Sequence, residues 1–194
     1  MIPNKIANWI NGKEIQAESG KTFKKVSPHS GEILCKVARS TKTDIDHAVA
    51  VAKQAQIDWS NMPAVQRGHL LHQICNSLEL QKGEIASIVA LETGKSHQEA
   101  LGEIGGAIAL GRFYAGEGQR LYGRTTTSGV ENKYASTVRQ ACGVAGLIIA
   151  ANTPIANVAW KVFPALICGN GVVLKAAEDT PATAWIFAKI AQEA

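Results

Sequence analysis

The chain has 194 residues, 46% hydrophobic, 19% charged and 6% aromatic, which is a globular composition and excludes a disordered or fibrous protein. Lys plus Arg number 20 against 16 Asp plus Glu, a net charge of +4. The basic residues are scattered and their longest run is Lys24-Lys25, so no stripe tracks a phosphate backbone and nucleic acid is set aside as a main partner. No apolar run approaches the roughly 20 residues that span a bilayer. Met1-Ile2-Pro3-Asn4-Lys5 lacks the apolar stretch of a signal peptide. The expectation is a cytoplasmic protein without a membrane partner. Cys35, Cys75, Cys142 and Cys168 lie far apart with no C-x-x-C pair, and each is expected to be a small buried hydrophobe rather than a ligand or nucleophile. Cys168 precedes Gly169 at an expected helix C-terminus, where the dipole disfavours a thiolate.

Small strands are expected first. Asn11-Gly12 between two short apolar-bearing runs predicts a hairpin over Asn8 to Ile15. Thr22 to Val26 and Glu32 to Ala38 read as a second extended pair around the Ser27-Pro28-His29-Ser30-Gly31 turn. Helices follow. Thr43 is placed to cap a helix over Asp44 to Trp59, with Ala48, Val51, Ala52 and Ala55 on one face. Pro63 suits the first turn of the next, whose apolar side carries Leu70, Leu71, Ile74 and Leu78. A third helix runs from Glu84 to Thr93, with Gly94 just past its end. Ser96 and Glu99 have capping-box spacing ahead of a run to about Tyr122. That run holds Gly102, Gly105, Gly106, Gly111, Gly116 and Gly118. Each costs about 1 kcal/mol of helix propensity relative to Ala, so close packing against a neighbour has to compensate.

Thr125 to Val138 is polar and β-branched and predicts strand leading away from the main body. From Gly143 the pattern changes. Gly143 to Ala151 is almost wholly apolar, as for a strand buried on both faces. Ile155 to Ile167 suits a buried helix, Gly169-Asn170-Gly171 a tight turn, Val172-Val173-Leu174 a second buried strand and Ala182 to Glu193 a further helix. This β-α-β-α order predicts an α/β fold with a parallel sheet. The chain stops inside an amphipathic pattern after two parallel strands, which reads as part of a larger sheet.

Ligands in such folds bind beyond the carboxyl ends of the strands, here at Ala151-Asn152-Thr153-Pro154 and Lys175-Ala176-Ala177-Glu178-Asp179. A carboxylate after the second strand can accept hydrogen bonds from ribose hydroxyls and repels a 2′-phosphate, favouring NAD over NADP. Lys175 could donate to the same ribose; the same spacing fits a surface ion pair of little worth. Asn152 could donate its side-chain amide to an oxyanion, or cap the next helix as a turn residue. The first βα turn lacks G-x-G-x-x-G, and there is no Walker A pattern. His69, His72 and Cys75 recur at steps of three on one helix, but such steps drift around its surface and no fourth ligand is visible, so no metal is expected.

Taken together, Trp9-Ile10-Asn11-Gly12-Lys13, Glu92-Thr93-Gly94-Lys95, Tyr114-Ala115-Gly116, Asn152-Thr153-Pro154, Phe163-Pro164-Ala165-Leu166 and Val172 to Pro181 resemble, in order, the NAD(P)-dependent aldehyde dehydrogenases. The resemblance covers essentially the whole chain and is to the N-terminal part of such an enzyme. It implies that Asn152 is the asparagine that helps to stabilise the thiohemiacetal oxyanion, that Lys175 and Glu178 hold the adenosine ribose, and that Ile148, Ile149, Ala150 and Ala151 form the strand end lining the coenzyme. The family binds NAD without the usual glycine fingerprint. It also implies three parts: residues 1–122, hairpins and helices of the cofactor-binding domain; residues 123–139, the start of an oligomerisation arm; and residues 140–194, the first half of a Rossmann-like core.

Two departures stand out. The family commonly has Pro-Trp-Asn where this chain has Ala150-Ala151-Asn152. The nucleophilic cysteine and general-base glutamate lie further along in the family, and none of the four cysteines here has a matching context. The expected function is thus a fragment of an aldehyde dehydrogenase, homo-oligomeric when intact, oxidising an aldehyde to an acid with NAD rather than NADP. The fragment itself is expected to be inactive, to bind NAD weakly and to associate through its sheet edge. The alternative is a stand-alone, non-catalytic nucleotide-binding or assembly module derived from that family.

Overall fold

In the computed structural model, which describes residues 1–194, the chain opens with β1 (Lys5–Ile6), a two-residue strand the sequence did not announce. The expected hairpin follows as β2 (Asn8–Ile10) and β3 (Lys13–Ile15). Asn11 and Gly12 turn it at φ 53° and 69°, the positive pair that a two-residue hairpin turn requires. Then β4 (Thr22–Val26) pairs antiparallel with β5 (Ile33–Ala38), and β1 lies parallel on the far side of β5.

The first helix, α1 (Lys42–Asn61), starts two residues earlier than expected, and its cap is Thr41 rather than Thr43. The reason is Asp44. As the third helical residue its carboxylate accepts from the backbone N–H of Thr41 at 2.7 Å and from the Thr41 hydroxyl at 3.0 Å. Ala48, Val51 and Ala52 are half-buried as expected, whereas Ala55 is exposed. Next come α2 (Ala64–Leu80), which Pro63 caps rather than enters, and α3 (Lys82–Thr93), closed by Gly94 at φ 77°. The Ser96/Glu99 box then starts α4 (His97–Glu117). This helix ends before Tyr122 because Gly118, Gln119 and Arg120 donate to carbonyls only three residues back, the tightened geometry of a terminating helix.

Two exposed strands, β6 (Thr125–Thr127) and β7 (Tyr134–Ser136), pair as the expected excursion from the body. The parallel unit follows: β8 (Val144–Ile148), α5 (Pro154–Ile167), β9 (Gly171–Lys175) and α6 (Pro181–Glu193). Strands β8 and β9 run in parallel register from Val144↔Gly171 to Ile148↔Lys175. The expectation that both strands are buried on both faces fails: β8 is half-buried with Gly146 and Ile148 exposed, and β9 is mostly half-buried. The sheet has two strands, so each has one unpaired edge and too few neighbours to close it in.

The core is a single cluster centred on α4, which packs on α2, α3 and α5. Gly111 explains one of the helix glycines. A Cβ there would lie 2.6 Å from Cys75 Sγ and 2.8 Å from Phe163, so its absence lets α2 and α5 approach α4. Gly102 and Gly106 face open space, and nothing in the structure explains them. Arg67, nearly buried at 7% exposure, ties two helix ends together. Its Nε donates to Ile167 O at 3.1 Å, and its Nη1 to the carbonyls of Trp59, Ser60 and Met62.

Candidate functional site

Because β8 and β9 are parallel and in register, their carboxyl ends open on the same side of the molecule. The loops that leave them border an open cleft of about 440 Å³, lined among others by Lys25, Glu92, Lys95, Ala151, Asn152 and Asp179. Strands and α3 both contribute to it.

The residues expected along the end of β8 separate by face. Ile148 is 68% exposed and Ile149 only 3% exposed, packed into the core. Ala150 is exposed, and Ala151 lines the cleft beside Asn152. Ile149 is thus closed to a ligand, its backbone N–H donating to Lys175 O at 3.3 Å. Lys175, the last residue of β9, and Glu178 just beyond it come together, with Nζ 3.1 Å from Oε2. The Glu178 carboxyl lies below the usual carboxylate range, held by its own backbone N–H and by Lys175. Both side chains are more than half exposed, so the pair adds little stability and remains free to exchange partners.

Asn152 does not cap α5. Thr153 occupies the cap position and its side chain makes no capping bond. The α5 amides of Ile155 and Ala156 instead donate to Glu103 Oε1 on α4, at 2.9 and 3.3 Å. Asn152 Oδ1 accepts weakly from Asn157 Nδ2 at 3.5 Å. Its own Nδ2 donates to no protein group, so the amide is free for a ligand.

The same arrangement recurs on α6. Thr180 occupies its cap position with no side-chain capping bond. Glu92 of α3 accepts from the backbone N–H of Ala182 and Thr183 at 2.7 and 2.8 Å. Glu92 is 1% exposed; burial pushes its carboxyl above the ordinary range, against the pull of Thr183, Ala182 and Lys25. Glu92, Lys95 and Glu103 are the residues the sequence did not single out. Glu92 and Lys95 stand inside a string that carries the family resemblance, while Glu103 has no local signal, since its partners are 52 and 53 residues away.

These caps have a chemical consequence. In a standard dinucleotide fold the first helix offers its free N-terminal amides to the pyrophosphate. Here Glu103 occupies them. The cysteines are also placed against chemistry in the cleft. Cys35 and Cys75 are buried, as expected; Cys142 and Cys168 are exposed, contrary to expectation. Both exposed cysteines precede β8 and β9, at the amino ends of the strands, with Cys168 at the C-cap of α5. His69 is exposed, His72 half-buried and Cys75 buried, so the three do not converge, and no cluster in the structure could hold a metal ion. No helix is long and apolar enough to cross a membrane.

A cleft beyond the carboxyl ends of two parallel strands joined through a helix defines part of a Rossmann-like α/β fold. The aldehyde dehydrogenase family model matches residues 15–194, and the chain belongs to that family. It is 39% identical over 188 residues to the mitochondrial benzaldehyde dehydrogenase of Antirrhinum majus, covering 95% of this chain and 35% of that protein. Among solved structures it superposes at TM-score 0.93 on an NAD-dependent aldehyde dehydrogenase from Sinorhizobium meliloti, with 31% identity over 97% of this chain and 38% of the other. An NADP-dependent enzyme from E. coli matches at TM-score 0.95 and 30% identity, over 99% of this chain and 40% of the other. The chain thus spans less than half the length of the proteins it matches.

Proposed function

We propose that residues 1–194 form the opening part of a nicotinamide-dependent aldehyde dehydrogenase, with Asn152 as an oxyanion donor and Lys175 and Glu178 as the adenosine-ribose clamp. The observation that carries this reading is the free Nδ2 amide of Asn152, exposed at the carboxyl end of β8 while its backbone carbonyl is anchored by Lys95. A free amide on a backbone so anchored can donate to negative charge as it develops on an aldehyde oxygen. When bound, the coenzyme supplies the hydride acceptor. Lys175 and Glu178 suit its ribose, one donor and one acceptor 3.1 Å apart on an open surface, matched to a vicinal diol. The carboxylate disfavours a 2′-phosphate, which supports NAD over NADP.

Aldehyde oxidation by a cysteine mechanism needs a thiolate beside that amide. No cysteine of this chain serves: two are buried, and two lie a strand length from the cleft, about 16 Å at the usual rise per residue. The nucleophile and general base would come from outside residues 1–194. The exposed pair β6 and β7, with Tyr134 84% exposed and Val138, just past β7, 80% exposed, supports the reading of residues 123–139 as an oligomerisation arm between the parts at 1–122 and 140–194. Four free thiols suit a reducing compartment such as the cytoplasm.

The test is Asn152→Ala in the full-length enzyme carrying this segment. The expected result is a loss of roughly 10²- to 10³-fold in kcat, the usual size for one oxyanion donor, with coenzyme affinity unchanged. An unchanged kcat would remove Asn152 from that role.

A further inference from the structure

The cleft loop that bears Asn152 is held from two sides by one ion pair. Glu103 of α4 and Lys95, which follows Gly94 at the end of α3, meet with Nζ 2.5 Å from Oε2. Their side chains are only 6% and 18% exposed. Glu103 uses its other oxygen to accept from the amides of Ile155 and Ala156. Lys95 uses a second proton to donate to the backbone carbonyl of Asn152 at 2.9 Å. The pair therefore grips both ends of the Asn152-Thr153-Pro154 turn. Within the turn the only other ties run between Thr153 or Asn152 and Asn157.

We propose that Lys95 and Glu103 are positioning residues for Asn152: the pair fixes the peptide plane of Asn152, and so the direction in which its side-chain amide points into the cleft. The proposal rests on the reading of Asn152 as an oxyanion donor. A shift of about 1 Å in such a donor is enough to cost about 10²-fold in rate. Without the ammonium, the Asn152 carbonyl loses its only donor and the Glu103 carboxylate loses its counter-charge in a nearly dry site. A surface ion pair of the Lys175–Glu178 kind could not do this, because exposed charges exchange partners with water.

The experiment compares Lys95→Met, Lys95→Arg, Asn152→Ala and the Lys95→Met/Asn152→Ala double variant in the full-length enzyme carrying this segment. Lys95→Met is expected to lower kcat roughly 10- to 100-fold with coenzyme Kd within about twofold of the parent, and Lys95→Arg to recover kcat to within about fivefold. In the double variant the effects should not multiply, because a donor already removed cannot be misplaced. Should Lys95→Met fail to fold, Lys95→Gln replaces it, with an expected loss of at least about fivefold and the same failure to multiply. Multiplying losses, or an unchanged kcat in the Lys95 variant beside a large loss in Asn152→Ala, overturn the proposal alone. An unchanged kcat in Asn152→Ala overturns the oxyanion reading and this proposal with it.

Discussion

Glu92 Oε2 accepts both the backbone N–H of Thr183, at 2.8 Å, and its hydroxyl, at 2.7 Å, across 91 residues of sequence. One buried carboxylate on α3 thereby starts α6, much as Glu103 on α4 starts α5. Removing it as Glu92→Ala leaves buried helix-end donors without an acceptor, and a loss of about 3 kcal/mol in unfolding free energy is expected. Denaturant titration measures it; a loss below about 1 kcal/mol would mean that water replaces the carboxylate.

The same residue makes stability depend on pH. Burial raises its carboxyl in the folded chain, so the folded state holds this proton more tightly than the unfolded one. The stabilisation from the protonated form is complete below the ordinary carboxylate pKa and is lost as pH rises through the raised folded value. Glu92→Gln, which cannot titrate, should therefore gain on the parent chain as pH rises across that window. A difference between the two that does not vary with pH would refute the raised value.

Two glycines of α4 should respond oppositely to alanine. At Gly111 the new methyl meets Cys75 and Phe163 inside 3 Å, and overpacking is expected to cost about 1–3 kcal/mol. At Gly106 nothing lies within 4 Å, so helix propensity alone acts and a gain of up to about 1 kcal/mol is expected. Thermal unfolding of the two variants checks both signs.

The cysteines divide into two pairs. Burial pushes the thiols of Cys35 and Cys75 up to about 11, leaving about one molecule in a thousand as thiolate at pH 8. Cys142 and Cys168 are exposed. Brief alkylation of the native chain should add two labels, at these two positions, and denatured chain should take four; mass spectrometry counts them. Residues 1–194 should in turn produce no NADH from an aldehyde and NAD, because the accessible thiols lie at the wrong end of the sheet. NADH formation by the purified chain would show that one of them reaches the cleft.

Coenzyme choice should turn on Glu178. On the proposed ribose-clamp reading, replacing it by Gln removes the charge that opposes a 2′-phosphate while leaving Lys175 in place, so the ratio of NAD to NADP affinity should fall by roughly tenfold. Equilibrium binding of both coenzymes to the full-length enzyme gives the ratio. An unaltered ratio would place the discrimination elsewhere.

Much of this architecture was legible locally. The Asn11-Gly12 turn, the Ser96/Glu99 box and the alternation of apolar strand and helix after Gly143 act between near neighbours, and each stands where its pattern put it. The cap of α1 was misplaced because two threonines, Thr41 and Thr43, compete there, and only the reach of Asp44 chooses between them. The Lys175–Glu178 ion pair was readable because the two residues lie three apart at the end of β9.

What the sequence by itself determined was therefore the order of elements from β2 onward, the parallel sheet, the family and the loops that border the cleft. Tertiary structure alone decided which polar groups line that cleft and satisfy the helix ends beside it. Glu92 and Glu103 satisfy helix ends 52 to 91 residues away, and no spacing rule connects them to their partners. A helix N-terminus needs an acceptor within hydrogen-bond reach, and only the packing of α3 and α4 against α5 and α6 brings one there. That same packing frees the side chain of Asn152 from the capping duty that its place in the sequence would have allowed.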